Sequence, residues 1–141
     1  MNEPVPPFEM TVRVQAADID GLNHVNNIVY LRWVQDVATA HWFAAAPKED
    51  QAGLVWMVVR HEIDYSAAAG PDDEIVLRTW IGAAVGLRFD RHTEILRASD
   101  RKLLAKARTV WVPIDAVSGR PRRVPDRVRK MFSVEGQAST S

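Results

Sequence analysis

Apolar and polar residues alternate one for one at the start of the chain, with Phe8, Met10, Val12 and Val14 set against Glu9, Thr11, Arg13 and Gln15. A period of two is that of a strand with one face in a core and the other in solvent. From about Asn27 the period changes. Arg32, Gln35, Asp36 and Thr39 share a polar stripe at helical spacing, while Tyr30, Leu31, Val34, Val37, Ala38 and Trp42 take up the remainder. That pattern predicts a helix from about Asn27 to Ala45 that is mostly surrounded by protein. Pro47 and the polar run KEDQ end it, and Gly53 restarts extended chain. Four longer strands are expected at roughly 54–67, 73–84, 87–98 and 103–114, separated by AGPDD, by residues 82–86 and by ASDRK. A turn at PIDAVSGRP leads to a short helix from Pro125 to Met131. One strand, one long helix and four further strands specify an α+β fold, an antiparallel five-stranded sheet wrapped around one central helix.

The ends differ from this pattern. Residues 1–7 carry three prolines and no periodicity, and read as a flexible lead-in. Residues 8–132 form a single expected domain, and 133–141 a polar, disordered tail. No internal repeat is visible. With 141 residues, 47% hydrophobic and 26% charged, the composition is globular. A functional cavity inside so short a chain consumes scarce core, which favours an oligomer with a site at the interface.

Charge and cysteine content narrow the function. The formal net charge is zero, yet residues 1–80 hold 12 acids and 5 bases, and residues 81–141 hold 6 acids and 13 bases. A polyanionic ligand is therefore expected to meet the second part, while the balanced total and the lack of a recognised motif argue against nucleic acid. The absence of cysteine excludes disulfides, thiolate metal sites and a cysteine nucleophile, and suits a reducing compartment. The amino-terminal residues lack a basic stretch followed by an apolar run, and no stretch of 18 apolar residues occurs. A cytoplasmic protein with no membrane partner is expected.

Between the first strand and the helix lies DIDGLNHVNN, Asp18 to Asn27. Three readings compete. One is a polar turn with a helix cap, for which Asn26 is well suited. A second is a calcium loop, but an EF-hand beginning at Asp18 requires glycine where Asn23 stands and glutamate where Val29 stands. The scattered His41, His61 and His92 lack the H-E-x-x-H spacing of zinc sites, so no metal or other cofactor is expected. The third is an active site. The first turn of a helix has unpaired backbone N–H groups and a positive dipole end able to hold an oxyanion, and a carboxylate facing it can attack an acyl carbon or activate water.

The string V-x-x-x-D-I-D-x-x-x-H-V-N-N-x-x-Y-L-R-W resembles the hotdog-fold acyl-CoA thioesterases of the 4-hydroxybenzoyl-CoA thioesterase-like superfamily, and also the more distant plant acyl-ACP thioesterases. R-H-E-I-D-Y, G-P-D-D-E, V-L-R-T-W-I, A-x-A-R-T-V-W-V-P-I-D and S-G-R-P-R-R-V-P extend the likeness over about residues 8–130. The resemblance implies a hotdog fold and a homodimer or homotetramer. It also implies that Asp20, the second acid of D-x-D, lies near the thioester carbon as nucleophile or general base, and that a backbone N–H near Asn27 polarises the thioester oxygen. Two positions depart from the pattern in this loop. Asn23 stands where bacterial members commonly have glycine, and Leu22 where the acyl-ACP enzymes have asparagine; Ser66 to Ala69 replace the family's frequent L-R-P.

Other residues have two readings each. His24 either orients Asp20 or donates to the thioester, or is tied to backbone. Asn26 either enters the cleft or caps the helix, and Tyr30 lines the acyl pocket or the core. Glu62, in phase with Asp64 on a strand, either reaches across a dimer interface toward Asp20 or belongs to a solvated, salt-bridged face. Arg88 and Arg91 are the first choices on the basic strands to hold the phosphates of coenzyme A. The expected function is hydrolysis of acyl-CoA to a carboxylic acid and coenzyme A, with acyl-ACP hydrolysis and non-catalytic acyl-CoA binding as alternatives.

Overall fold

Asn26 begins the central helix by accepting the Ile28 N–H on its side-chain oxygen at 3.0 Å. Helix α1 then runs Asn27–Ala45, within a computed structural model that describes residues 5–132. The tail expected at 133–141, and the first four residues of the lead-in, lie outside the described residues. Buried positions Val29, Tyr30, Trp33, Val34, Val37, Ala38, His41 and Trp42 recur two per turn, so one broad stripe of α1 faces protein. Pro47 stops the helix, and the Gln51 amide satisfies two of its last carbonyls, Phe43 at 3.2 Å and Ala46 at 2.8 Å.

KEDQ does more than end α1. It forms a second, short helix, α2, Lys48–Gly53. Pro47 precedes its first turn and Glu49 and Asp50 lie in that turn, where carboxylates favour the positive end of a helix. Asp50 is buried and paired with both terminal nitrogens of Arg127, at 2.9 and 3.1 Å, from helix α3, Asp126–Phe132.

The five strands are β1 (Phe8–Arg13), β2 (Leu54–Tyr65), β3 (Glu74–Val85), β4 (Arg88–Arg97) and β5 (Leu103–Asp115). They form one antiparallel sheet in the order β1-β3-β4-β5-β2, so β1 and the 12-residue β2 are its edges. The register of β2 on β5 shifts between Val58 and Arg60. That bulge keeps Trp56 and Val58 on one side of it, and His61 and Ile63 on the other, on the partly buried face. This is an α+β hotdog arrangement, the sheet curled around α1.

The core has two parts. Around the first half of α1, Tyr30, Trp33, Val34 and Val37 pack with Leu77, Ile95 and Leu104. Around its second half, Trp42 packs with Leu54, Ile81, Phe89, Val128 and Phe132, and with the partly buried Trp56 and Trp111.

Candidate functional site

After β1, a single 3-10 turn, Ala16–Asp18, delivers the chain to the D-x-D motif. Its two acids have different surroundings. Asp18 is buried, its carboxylate accepting the Gln15 N–H at 2.9 Å and an Arg32 N–H at 3.1 Å, while its carbonyl accepts the Asn26 N–H at 2.8 Å. Asp18 therefore ties the loop to both of its flanks. Asp20 is half-buried. Its Oδ1 accepts the N–H of Leu22 at 2.9 Å and of His24 at 3.4 Å, a local turn that aspartate readily makes. Oδ2 has no hydrogen-bond partner among the described residues, so one oxygen fixes the carboxylate and the other is left to act.

The loop closes on itself as a tight hairpin. Asp20 N–H donates to the His24 carbonyl at 2.8 Å, Asn23 N–H to the Asp20 carbonyl at 3.1 Å, and Ile19 bridges Val25. Asn23 has φ 63, the left-handed conformation that asparagine tolerates better than most residues other than glycine. Asparagine in place of the commoner glycine thus keeps a left-handed turn.

The other expected site residues separate into groups. His24 is exposed and touches Asp20 only through its backbone N–H and carbonyl; its ring has no partner among the described residues. Asn26 spends its side-chain oxygen on capping α1 rather than entering a cleft. Asn27, the first residue of α1, is exposed, and its backbone N–H has no partner among the described residues. The Tyr65 hydroxyl donates to the Asn27 carbonyl at 3.1 Å, joining the end of β2 to the start of α1. Tyr30 is a core residue, 1% exposed, whose hydroxyl accepts the Ala69 N–H at 2.8 Å; burial raises its pKa. It supports the loop from below and lies among core residues rather than in an open pocket. Glu62 sits in an exposed network with Arg60 at 2.7 Å and Arg108 at 3.2 Å, so within one chain it pairs with bases and not with the Asp20 loop.

Arg88 and Arg91 cannot act as a surface pair. They are three residues apart on a strand, and an odd separation places side chains on opposite faces. Arg88 is exposed, whereas Arg91 is buried on the inner face and donates to Thr79 Oγ1 at 3.1 Å and His41 Nδ1 at 3.0 Å. His41 accepts that bond as a neutral imidazole: burial, and then the Arg91 charge, hold it down to about 4.

A cavity of about 230 Å³ lies beside the second half of α1. Three of the five tryptophans, Trp42, Trp56 and Trp111, line it with Phe89 and Phe132. So many large aromatics in a short chain were the available signal, but their assembly depends on β2, β4, β5 and α3 meeting α1.

Comparison with known proteins agrees with this fold. Residues 14–132 match the model of the thioesterase-like superfamily. A chloroplastic palmitoyl-acyl carrier protein thioesterase of Gossypium hirsutum is 23% identical over 116 residues, which are 82% of this chain and only 28% of that protein. A 1,4-dihydroxy-2-naphthoyl-CoA thioesterase from Synechocystis has the same fold, with a TM-score of 0.75 at 22% identity over 89% of this chain and 94% of its own. A Staphylococcus aureus protein solved in complex with CoA superposes with a TM-score of 0.81 at 14% identity, covering 93% and 84% of the two chains. A probable thioesterase from Bartonella henselae gives 0.73 at 25% identity, over 85% and 99%. With most of its length matched by the family model and its sheet and helix matched in these solved folds, the chain belongs to the thioesterase-like superfamily.

Proposed function

We propose that the protein hydrolyses acyl-CoA thioesters to a carboxylic acid and coenzyme A. The observation that carries this reading is the Asp20 carboxylate, with one oxygen held by two backbone N–H groups and the other unengaged among the described residues, in the loop that leads into α1. At the start of α1 the Asn27 N–H is likewise unengaged among the described residues, at the positive end of a 19-residue helix. A thioester carbonyl oxygen seated on that N–H is polarised, and its charge is stabilised as the tetrahedral intermediate forms. Asp20 Oδ2 either takes a proton from the attacking water or attacks the acyl carbon itself, giving an anhydride that water then cleaves. Collapse releases coenzyme A as the thiol, with the proton returned to its sulfur. His24, exposed beside the loop, is the candidate second donor to the thioester oxygen.

The names of the relatives divide between two carriers. The Synechocystis protein is named as a CoA-ester thioesterase and the Staphylococcus aureus structure was solved in complex with CoA, whereas the Gossypium relative is an acyl carrier protein thioesterase. Leu22, in place of the asparagine of the acyl-ACP enzymes, favours CoA, with Arg88 the exposed candidate for its phosphates.

The site is completed by a second copy. In one chain the aromatic cavity begins at Ala38 of α1, 11 residues beyond Asn27, or about 17 Å along a helix axis. The edge strand β2 touches both regions: Leu54 lines the cavity, and Tyr65 is bonded to Asn27. Val55, Met57 and Val59 leave this unpaired edge exposed and apolar. Antiparallel pairing of β2 with its two-fold copy reverses the strand, setting the Tyr65 end of one protomer against the Leu54 end of the other. The Asp20 loop then faces the partner's cavity, and an acyl group extends from one into the other. This reading makes the homodimer, alone or within a homotetramer, the active unit, acting in the cytoplasm. No helix among the described residues is long and apolar enough to cross a membrane.

Thiol release from a panel of short, long and aromatic acyl-CoA esters, with matched carrier-protein esters, tests the proposal. Release from at least one CoA ester is expected. Tight acyl-CoA binding by calorimetry with no release from any ester would replace it with a non-catalytic binding role.

A further inference from the structure

The Asn27 N–H sits in an exposed turn. Asn27 and Ile28 are both open to solvent, and burial along α1 begins only at Val29. Helix ends of this kind fray. A misplacement of 1 Å at a reacting centre can cost on the order of 10²-fold in rate, so a frayed donor is a poor one.

Two peptide units flank Asn27, and both are fastened. The first carries the Asn27 N–H, and its oxygen, the Asn26 carbonyl, accepts the Val29 N–H at 2.9 Å. The second, between Asn27 and Ile28, is gripped at both ends. Its N–H donates to the Asn26 side-chain oxygen at 3.0 Å, and its carbonyl accepts the Tyr65 hydroxyl at 3.1 Å. The bonds to Asn26 are local to the helix start, whereas Tyr65 is 38 residues away, at the end of β2.

Tyr65 is itself held in place. Its ring stands edge-on to Tyr30, with centroids 5.4 Å apart and planes at 86°. The Tyr30 hydroxyl accepts the Ala69 N–H at 2.8 Å, and the Ala69 carbonyl accepts the Val25 N–H at 3.0 Å. A closed circuit therefore runs from Val25, at the exit of the D-x-D loop, through Ala69, Tyr30 and Tyr65 to Asn27. Tyr65 is 43% exposed, so burial does not force its hydroxyl onto the Asn27 carbonyl. Phenylalanine would keep the ring contact with Tyr30 and lose only the grip on the peptide.

Resting on the acyl-CoA hydrolase reading above, we propose that Tyr65 is a positioning residue for the hydrolysis: its hydroxyl holds the Asn27–Ile28 peptide so that the Asn27 N–H stays aimed at the thioester oxygen. Because Tyr65 ends the edge strand along which a second copy pairs, the strand that completes the site also sets its oxyanion donor. The donor matters most once charge has moved onto that oxygen, so Tyr65 acts on the transition state more than on substrate binding.

The test compares Tyr65→Phe with the wild type in two measurements. With the best acyl-CoA ester of the panel, kcat is expected to fall about 10-fold, the loss that one ordinary hydrogen bond can produce, while KM stays within about 2-fold. Hydrogen exchange read over residues 26–31 is expected to be several-fold faster in the variant, with the remaining backbone unchanged. A wild-type kcat in Tyr65→Phe, or a raised KM at unchanged kcat, overturns the proposal. So does a lowered kcat with exchange at the helix start unchanged, which would make the hydroxyl a direct partner of the substrate. Faster exchange throughout the chain marks a general loss of stability and removes the assignment too. If the wild type hydrolyses no ester, the hydrolase reading fails, and exchange decides alone: faster exchange confined to residues 26–31 sustains the hold of Tyr65 on the helix start, and unchanged exchange removes it.

Discussion

Arg32 of α1 donates to the buried Asp18 carboxylate at 3.1 Å, fastening the first acid of the D-x-D motif to the helix that follows it. The same carboxylate accepts the Gln15 N–H, so the first acid holds the loop in place, whereas the second keeps an oxygen free among the described residues. Asp18→Asn removes the charge from both bonds and should lower the stability by about 1–3 kcal/mol. Urea unfolding measures that loss. Turnover per folded molecule should change far less than in Asp20→Asn.

Asn23 gives a second, purely conformational expectation. At φ 63 a residue without a local polar side chain costs roughly 1–2 kcal/mol, whereas glycine costs little. Asn23→Ala should therefore lower the thermal midpoint, and Asn23→Gly should leave it near the wild type. Equal destabilisation by both would assign the role of Asn23 to its amide rather than to its backbone.

How much of this was readable in the sequence varies with the distance over which each feature is determined. The helix Asn27–Ala45 and the strands came from local periodicity and were legible to within a few residues. Asn26 as a cap and Asn23 as a left-handed residue were legible for the same reason, being decided by neighbours one or two positions away. KEDQ was not, because α2 owes its stability partly to Arg127, 77 residues from Asp50. The pairing of Arg88 with Arg91 as phosphate ligands treated charge as a property of a segment, when on a strand the parity of the spacing decides which face each side chain takes. Tyr65 at the helix start and the three-tryptophan cavity arise from contacts between distant elements, on which no local pattern bears.

The buried His41 predicts a pH dependence of stability. Its pKa is about 4 in the folded protein against about 6.5 in the unfolded chain. Between those values the unfolded chain binds a proton that the folded protein does not, so acid favours unfolding. The contribution is fully present above about pH 6.5 and is lost as the pH falls toward 4. His41→Gln keeps an acceptor for Arg91 and does not titrate, so the difference in unfolding free energy between wild type and variant should shift in favour of the variant across that window. A difference independent of pH would show that His41 is not held neutral.

The central claim is that Asp20 does the chemistry, and Asp20→Asn tests it most directly. Asparagine retains an oxygen for the N–H groups of Leu22 and His24, so the loop keeps its hydrogen bonds while the carboxylate is lost. With the best acyl-CoA ester of the panel, kcat for thiol release should fall by about 10²–10⁴-fold, with a thermal midpoint close to that of the wild type. Turnover at the wild-type rate by a folded Asp20→Asn protein would contradict the account.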